Sequence, residues 1–376
     1  MTINSNTHLV IVRTGGSVVN LESYNCQELG LAKALRSKGL KVTLVLASKS
    51  AGNLVIDGVD VVYCKFKALN QQLAWFEDID GILERLKPSL IQVHDMGMFM
   101  TWKVVRWAKK HNVPSFLIQG NYNVTQKPFF KQLEMMFNCT FGKYIIKTVT
   151  GIGCKTLKAS EYVKKYYRRE TKLTYVGLDV SRFDGCERKD WRAELGLQGK
   201  KVLLYVGSIE PRRNPLFLVD ILQSLPDDYA MVVVGDGKLR ESVGDKLKSL
   251  NLQERCIMLG KQSQKSLPPI FEMSDAFLLA SNYEIYGMVI LEAMYFGLPV
   301  VSSCTAGSET LIKNGFNGYV MNDFNVAEWS ECIRKMCEDR DLHDVMSKNC
   351  KEYIDEHFTW DKIADRFLDL YFGVRS

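Results

Sequence analysis

Two glutamates eight positions apart, Glu284 and Glu292, bracket the run Ile285 to Leu291, and Ala-Met-Tyr-Phe-Gly-Leu-Pro-Val-Val301 follows directly. If Gly287–Phe296 forms a helix, Glu292 falls in its middle and Glu284 stands just before its first turn. A carboxylate accepts two hydroxyl protons at once, and the first N–H groups of a helix have no partner inside it. A ligand carrying both hydroxyls and phosphates uses both features, its anion resting at the positive end of the helix. Upstream, Tyr205-Val-Gly-Ser-Ile-Glu-Pro-Arg-Arg-Asn214 sets two adjacent arginines, Arg212 and Arg213, between a strand-like and a helix-like run. A diphosphate leaving group needs cations, and the guanidinium fork meets its oxygens two at a time. By itself an E-x7-E spacing fits a surface helix with two unrelated acids, and an arginine pair can simply cap a loop.

These side chains need a scaffold that brings strand ends together. Apolar runs ending in small or polar residues alternate with helical-period segments along the whole chain, the pattern of parallel sheets wrapped in helices. In the first half the strand candidates are Leu9–Val12, Val42–Leu46, Val59–Tyr63, Leu90–Val93, Ser115–Ile118 and Thr148–Ile152, with helices expected over Tyr24–Lys38, Leu69–Leu86 and Phe99–His111. The rhythm restarts with strands at Val202–Val206, Met231–Val234, Cys256–Leu259, Ala276–Leu279 and Val300–Ser302. At 376 residues the chain exceeds one ordinary core, so two doubly wound α/β domains in series are expected. Val234-Gly-Asp-Gly237, Leu259-Gly-Lys261 and Thr305-Ala-Gly-Ser-Glu309 all follow strands of the second half, on the edge where open α/β sheets bind ligands. Singly each is weak, because strand-to-helix turns use glycine for conformational reasons alone. At the last of them Gly307 and Ser308 would offer N–H groups to phosphate.

Composition is that of a globular protein, 46% apolar and 24% charged, and no run approaches the roughly 20 apolar residues of a spanning helix. Without a basic-then-apolar start, a cytoplasmic location is expected. The 10 cysteines include no Cys-x-x-Cys pair and no neighbouring His cluster, which favours idle or buried thiols over a metal or disulfide framework. The net charge of +6 conceals a polarity: residues 1–178 hold 25 Lys+Arg against 12 Asp+Glu, and 179–376 hold 24 against 31. Most of the excess lies in 101–178, with 15 basic and 3 acidic residues. Over Phe129–Met136 and Lys143–Arg169 these cations interleave with aromatics, a pattern suited to an anionic membrane surface and equally to a solvated basic face. No nucleic-acid-binding module is recognisable, so no nucleic-acid partner is expected.

The segment 284–301 resembles the retaining glycosyltransferases of family 4, and the likeness extends, more loosely, over nearly the whole chain. The resemblance implies the GT-B fold, two Rossmann-like domains facing across a cleft. The domains would be 1–178 and 179–358, divided near Val176-Gly-Leu-Asp-Val-Ser-Arg-Phe183, with a final helix over about 359–376 crossing back to the first. It places Glu292 on the ribose hydroxyls of a nucleotide sugar, Glu284 on the transferred sugar, and the N–H groups of Gly287, Met288 and Val289 near sugar and phosphates. Arg213 would hold the diphosphate. The family's other basic residue, just after the strand-end glycine, is replaced here by Ser208, leaving open whether Arg212 or Lys261 supplies that charge. Lys261 would lie near the nucleotide base.

In the first domain, Arg13-Thr-Gly-Gly-Ser17 lacks the Gly-x-Gly-x-x-Gly spacing of a dinucleotide fingerprint. Gly15 and Gly16 instead match the family's glycine loop, which approaches the diphosphate. His94-Asp95, at a strand end, is a candidate for the acceptor side, although a lone His there is more often structural. Many members carry a His at the next strand end, where this chain has Gln119. The resemblance implies transfer of a hexose or N-acetylhexosamine from a nucleotide sugar, UDP-sugar before GDP-mannose, with no metal or other cofactor and no covalent intermediate. The basic first domain points to a peripheral enzyme extending a lipid-linked glycan for capsule or O-antigen. Two alternatives stay open: a nucleotide-sugar epimerase or hydrolase of the same fold, and a non-catalytic nucleotide-sugar-binding protein.

Overall fold

The computed structural model describes residues 7–19, 21, 26–122, 128–186 and 188–373. Two compact units divide it, with boundaries between Gly177 and Leu178 and between Thr359 and Trp360, so the last helix belongs to the first unit. In that unit the strands are β1 (His8–Val12), β2 (Lys41–Ser48), β3 (Gly52–Ile56), β4 (Val59–Ala68), β5 (Ala74–Phe76), β6 (Leu90–His94), β7 (Ser115–Gln119), β8 (Gly151–Cys154) and β9 (Lys172–Leu173). Their order is β3-β4-β2-β1-β6-β7-β8-β9, with β5 on β4. The ladder is parallel except that β3 and β5 pair antiparallel with β4. Every residue of β1 is buried, as expected of a strand covered on both faces by helices.

The second unit holds β10 (Lys201–Val206), β11 (Tyr229–Val234), β12 (Cys256–Gly260), β13 (Ala276–Leu279), β14 (Val300–Ser303) and β15 (Gly318–Met321), in the order β12-β11-β10-β13-β14-β15 and parallel throughout. The chain moves outward from β10 to β11 and β12, then returns to lay β13 on the other side of β10. The strand ends of β10 and β13 therefore flank the point where strand order reverses, which in doubly wound sheets is where a ligand crevice opens. In the first sheet the same switch lies between β1 and β6.

Two sequence expectations fail for local reasons. Leu69–Leu86 is not one helix: β5 occupies 74–76 and the helix is Ile79–Leu86. The Asn70 side chain accepts from the N–H groups of Gln72 and Leu73, and this local turn outcompetes the helix. Thr148 ends a short helix, Lys143–Thr148, and β8 starts only at Gly151. The first helix runs Gln27–Ser37; its expected start at Tyr24 lies outside the described residues. The edge strands β3, β5, β9 and β15 were not anticipated.

The last helix, Trp360–Phe372, buries Ile363, Ala364, Phe367, Leu370 and Tyr371 within the first unit. Its Trp360 ring occupies the space a side chain at Gly30 would need, a Cβ there falling 2.1 Å from the indole nitrogen. Tyr371 donates to Gln92 Oε1, and Lys38 pairs with Asp361 and Asp365 at 3.3 and 2.8 Å. Among the described residues no helix is long and apolar enough to cross a membrane.

Candidate functional site

The loop after β10 runs Gly207-Ser208-Ile209-Glu210 into a tight turn at Pro211–Arg213 and then the helix Pro215–Ser224. Its bend is pinned from beneath by Tyr205, fully buried, whose hydroxyl donates to the Ser208 carbonyl at 2.8 Å. The loop after β13 is tied alongside, the Asn282 N–H donating to Arg212 O at 2.9 Å. The two arginines thereby meet Glu284. Arg212 Nη1 donates to its Oε1 at 2.8 Å and to Tyr283 O at 2.6 Å. Arg213 Nη1 bonds the same carboxylate oxygen and lies 3.2 Å from Ser281 Oγ. The Glu284 and Arg213 side chains are 9% and 16% exposed, while Arg212 is 47% exposed. Arg213 Nε is buried without a hydrogen-bond partner among the described residues.

Two guanidiniums around one carboxylate leave a net positive charge at the switch point. Such an arrangement can exchange partners when an anion carrying hydroxyls enters: the hydroxyls take the carboxylate and the anion takes the guanidiniums. Ser208 is exposed at the strand end. Lys261 is elsewhere, exposed beyond the edge strand β12.

The helix expected over 287–296 spans Met288–Tyr295. Gly287 caps it at φ +77°, a left-handed turn that favours glycine. The first-turn N–H groups of Met288 and Val289 face outward from the helix start, and Glu292 is buried in its middle, 3% exposed. Gly307 also has a packing role: a Cβ there would lie 1.8 Å from the Tyr286 carbonyl oxygen, so it lets the helix Ala306–Leu311 press against the loop before Gly287. Ser308 offers no free N–H, because Thr305 Oγ1 accepts it within a capping box. The turns after β10, β11 and β12 interlock, Ile209 N–H donating to Asp236 O at 3.0 Å and Gly235 N–H to Gly260 O at 2.8 Å.

In the first unit the glycine loop is held by its own surroundings. Gly16 donates its N–H to Gln71 O at 2.9 Å and packs against Ala68 and Ala74, while Gly15 faces only the Gln71 side chain. The structure brings His94 to Arg13 and to a residue not singled out from sequence, Glu28. His94 Nε2 lies 3.0 Å from the Gln92 amide nitrogen and accepts from it, so the ring proton resides on Nδ1, 3.8 Å from Glu28 Oε1. Burial pulls the His94 pKa down to about 4 against the opposing pull of Glu28, and the imidazole is neutral at neutral pH. Burial opposes ionisation of Glu28, but His94, Lys155 and Arg13 outweigh it and hold the carboxyl below its usual range. Glu28 was discoverable: it shares a helical face with the apolar Leu31, Ala32 and Leu35.

Gln119 is committed to holding a turn. It is 1% exposed, its Oε1 accepts from Met96 N–H and its Nε2 donates to Asn121 O. Asp95, at φ +48°, accepts from Gly120 and Asn121 N–H and shapes the same turn. Among the described residues no three His, Cys, Asp or Glu gather as a metal-holding group.

Residues 187–353 match the family described as "Glycosyl transferases group 1". The UDP-Gal:alpha-D-GlcNAc-diphosphoundecaprenol alpha-1,3-galactosyltransferase of Escherichia coli is 29% identical over 276 residues, 70% of this chain and 68% of that protein. Spore coat protein SA of Bacillus subtilis is 30% identical over 226 residues, 54% of this chain and 59% of its own length. Among solved structures, sucrose-phosphate synthase from Thermosynechococcus elongatus superposes with a TM-score of 0.78 at 16% identity, covering 98% of this chain and 99% of that one. Anabaena Alr3699/HepE in complex with UDP gives 0.77 at 17% identity, covering 98% and 100%. These likenesses carry the fold, which is GT-B, and within it residues 187–353 match the glycosyl transferases group 1 family.

Proposed function

We propose that the chain is a retaining glycosyltransferase of family 4 that moves a hexose or N-acetylhexosamine from a nucleotide sugar, UDP-sugar before GDP-mannose, onto an acceptor hydroxyl. The observation that carries this reading is the pairing of Glu284 with Arg212 and Arg213 at the switch point of the second sheet, beside the Gly287-capped helix that bears Glu292. In the proposed reaction the acceptor oxygen bonds to the sugar's anomeric carbon as the bond from that carbon to the phosphate breaks. The acceptor's proton leaves on the departing phosphate oxygen. Arg213 and Arg212 stabilise the charge that grows there, which is where a preorganised cation has most effect. Glu284 holds hydroxyls of the transferred sugar, Glu292 those of the ribose, and no metal or cofactor takes part. His94 lines the acceptor side as a neutral imidazole.

The acceptor in this reading is a lipid-linked oligosaccharide of surface-polysaccharide synthesis, of the capsule or O-antigen kind, met from the cytoplasm at the inner membrane face. The Escherichia coli relative, whose name gives a diphosphoundecaprenol acceptor, and the 15 basic residues against 3 acidic in 101–178 favour it. Release of nucleotide diphosphate from a panel of UDP-, GDP- and ADP-sugars tests the transfer. Turnover of one donor only with a glycan acceptor is expected; turnover without acceptor would make the protein an epimerase or hydrolase, and none at all a binding protein. Co-sedimentation with vesicles tests the membrane claim, which predicts binding to anionic vesicles and little to neutral ones.

A further inference from the structure

A cavity of about 630 Å³ opens in the first unit between the helices Pro128–Phe137, Lys143–Thr148 and Leu157–Tyr167. That volume suits a single small ligand or one hydrocarbon chain. Its walls are apolar and aromatic, formed by Met135, Ile146, Tyr162, Tyr166 and Tyr167. Met135 and Tyr166 are 50% and 61% exposed, and Met136 beside them 63%, an apolar surface that water does not favour. One wall includes Asn138 and Cys139 of a single π-helical turn, Asn138–Gly142, a rare backbone form that recurs at functional sites. Within that turn Asn138 is 7% exposed, and its Oδ1 has no hydrogen-bond partner among the described residues.

The rim is cationic. Lys143, Lys147 and Arg168 border the cavity, all three are exposed, and among the described residues none has an acidic partner. On the other side of the helix Lys143–Thr148 a second hollow of about 890 Å³ is bordered by Lys103, Arg106, Lys109 and Lys110, although Asp80 and Glu84 also line it. Nothing in the donor chemistry of the second unit uses these groups. An apolar cavity with unpaired cations at its mouth matches one chemistry: an amphiphile with a hydrocarbon chain and an anionic head.

We propose that this cavity is an anionic phospholipid site, taking one acyl chain between Met135, Ile146 and the three tyrosines while Lys143, Lys147 and Arg168 hold the phosphate. It deepens the membrane-facing part of the reading above and does not depend on the transfer chemistry, so the two fail separately. Cys139 lines the same cavity and its thiol is exposed, which gives a direct probe.

The test follows maleimide alkylation of Cys139 in the intact chain, read by peptide mass, with Cys332 of the second unit as an internal control. Vesicles of phosphatidylcholine containing phosphatidylglycerol slow Cys139 roughly tenfold at ten times the half-saturating lipid concentration and leave Cys332 unchanged. Phosphatidylcholine alone and glycerol phosphate alone slow neither cysteine. The combined variant Lys143→Gln, Lys147→Gln, Arg168→Gln weakens vesicle binding on the order of a hundredfold. Unchanged Cys139 labelling with anionic vesicles overturns the proposal, as does equal protection by neutral vesicles or by glycerol phosphate. Nucleotide diphosphate release by the same sample reports independently on the second unit.

Discussion

Glu284 carries the charge balance of the second unit, because one carboxylate oxygen receives both Arg212 and Arg213. In the proposed reaction Arg213, the more enclosed of the two, meets the diphosphate oxygens with less competing water. Arg213→Ala is expected to lower kcat/KM by roughly 10²–10³-fold, the scale on which preorganised stabilising groups act, and Arg212→Ala by clearly less. Nucleotide diphosphate release measures both, and a larger loss for Arg212→Ala would reverse the assignment. His94 supplies a second residue-scale prediction. Its pKa lies below the ordinary 6.5, so the unfolded chain binds a proton that the native state resists between about pH 6.5 and pH 4. The stability it contributes is complete above that window and declines as pH falls through it. Denaturant midpoints recorded across the window should drop for wild type and flatten in His94→Gln. An equal slope in the two proteins would remove His94 from the account.

The elements matter through how closely they approach. Gly307 lets one helix touch the Tyr286 carbonyl, so Gly307→Ala must push back the loop that carries Glu284 to Gly287. The expected signature is a raised donor KM together with a lowered thermal midpoint, and a normal KM would show that the loop yields without consequence for the donor. Gly30 does the same for Trp360, and Gly30→Ala should cost about 1–3 kcal/mol in chemical denaturation of the chain. The long parallel strands and the helix around Glu292 were legible because fully buried runs and an apolar helix leave a clear period in the sequence. The hairpin around Asn70 was not, because a side-chain turn decided against a helix the apolar pattern allowed. At the site, the residue types were legible and their partners were not. The contact of Arg212 with Glu284, the Glu28 carboxylate beside His94 and the use of Ser308 in a cap all arise from tertiary proximity. Gln119 illustrates the reverse case, a polar residue at a functional-looking position whose amide is spent on holding a turn.

Across the whole chain, the two units have opposite electrostatic character. The first half carries 25 basic residues against 12 acidic and the second 24 against 31. A field of that sign favours an anionic surface for the first unit and leaves nucleotide recognition to the local arginine pair of the second. Vesicle binding should therefore weaken steeply as salt shortens the reach of exposed charges, while donor affinity, resting on half-enclosed arginines, should change less. Parallel loss of both in the same salt titration would contradict that division. In the proposed reaction the second unit binds and activates a nucleotide sugar through Glu284 and its arginines. Donor-panel turnover by wild type and Glu284→Ala tests it most directly. Wild type should release nucleotide diphosphate from one donor class in the presence of acceptor, and Glu284→Ala should lose that activity while remaining folded. No turnover of any donor, with Glu284→Ala indistinguishable from wild type in donor binding, would contradict it.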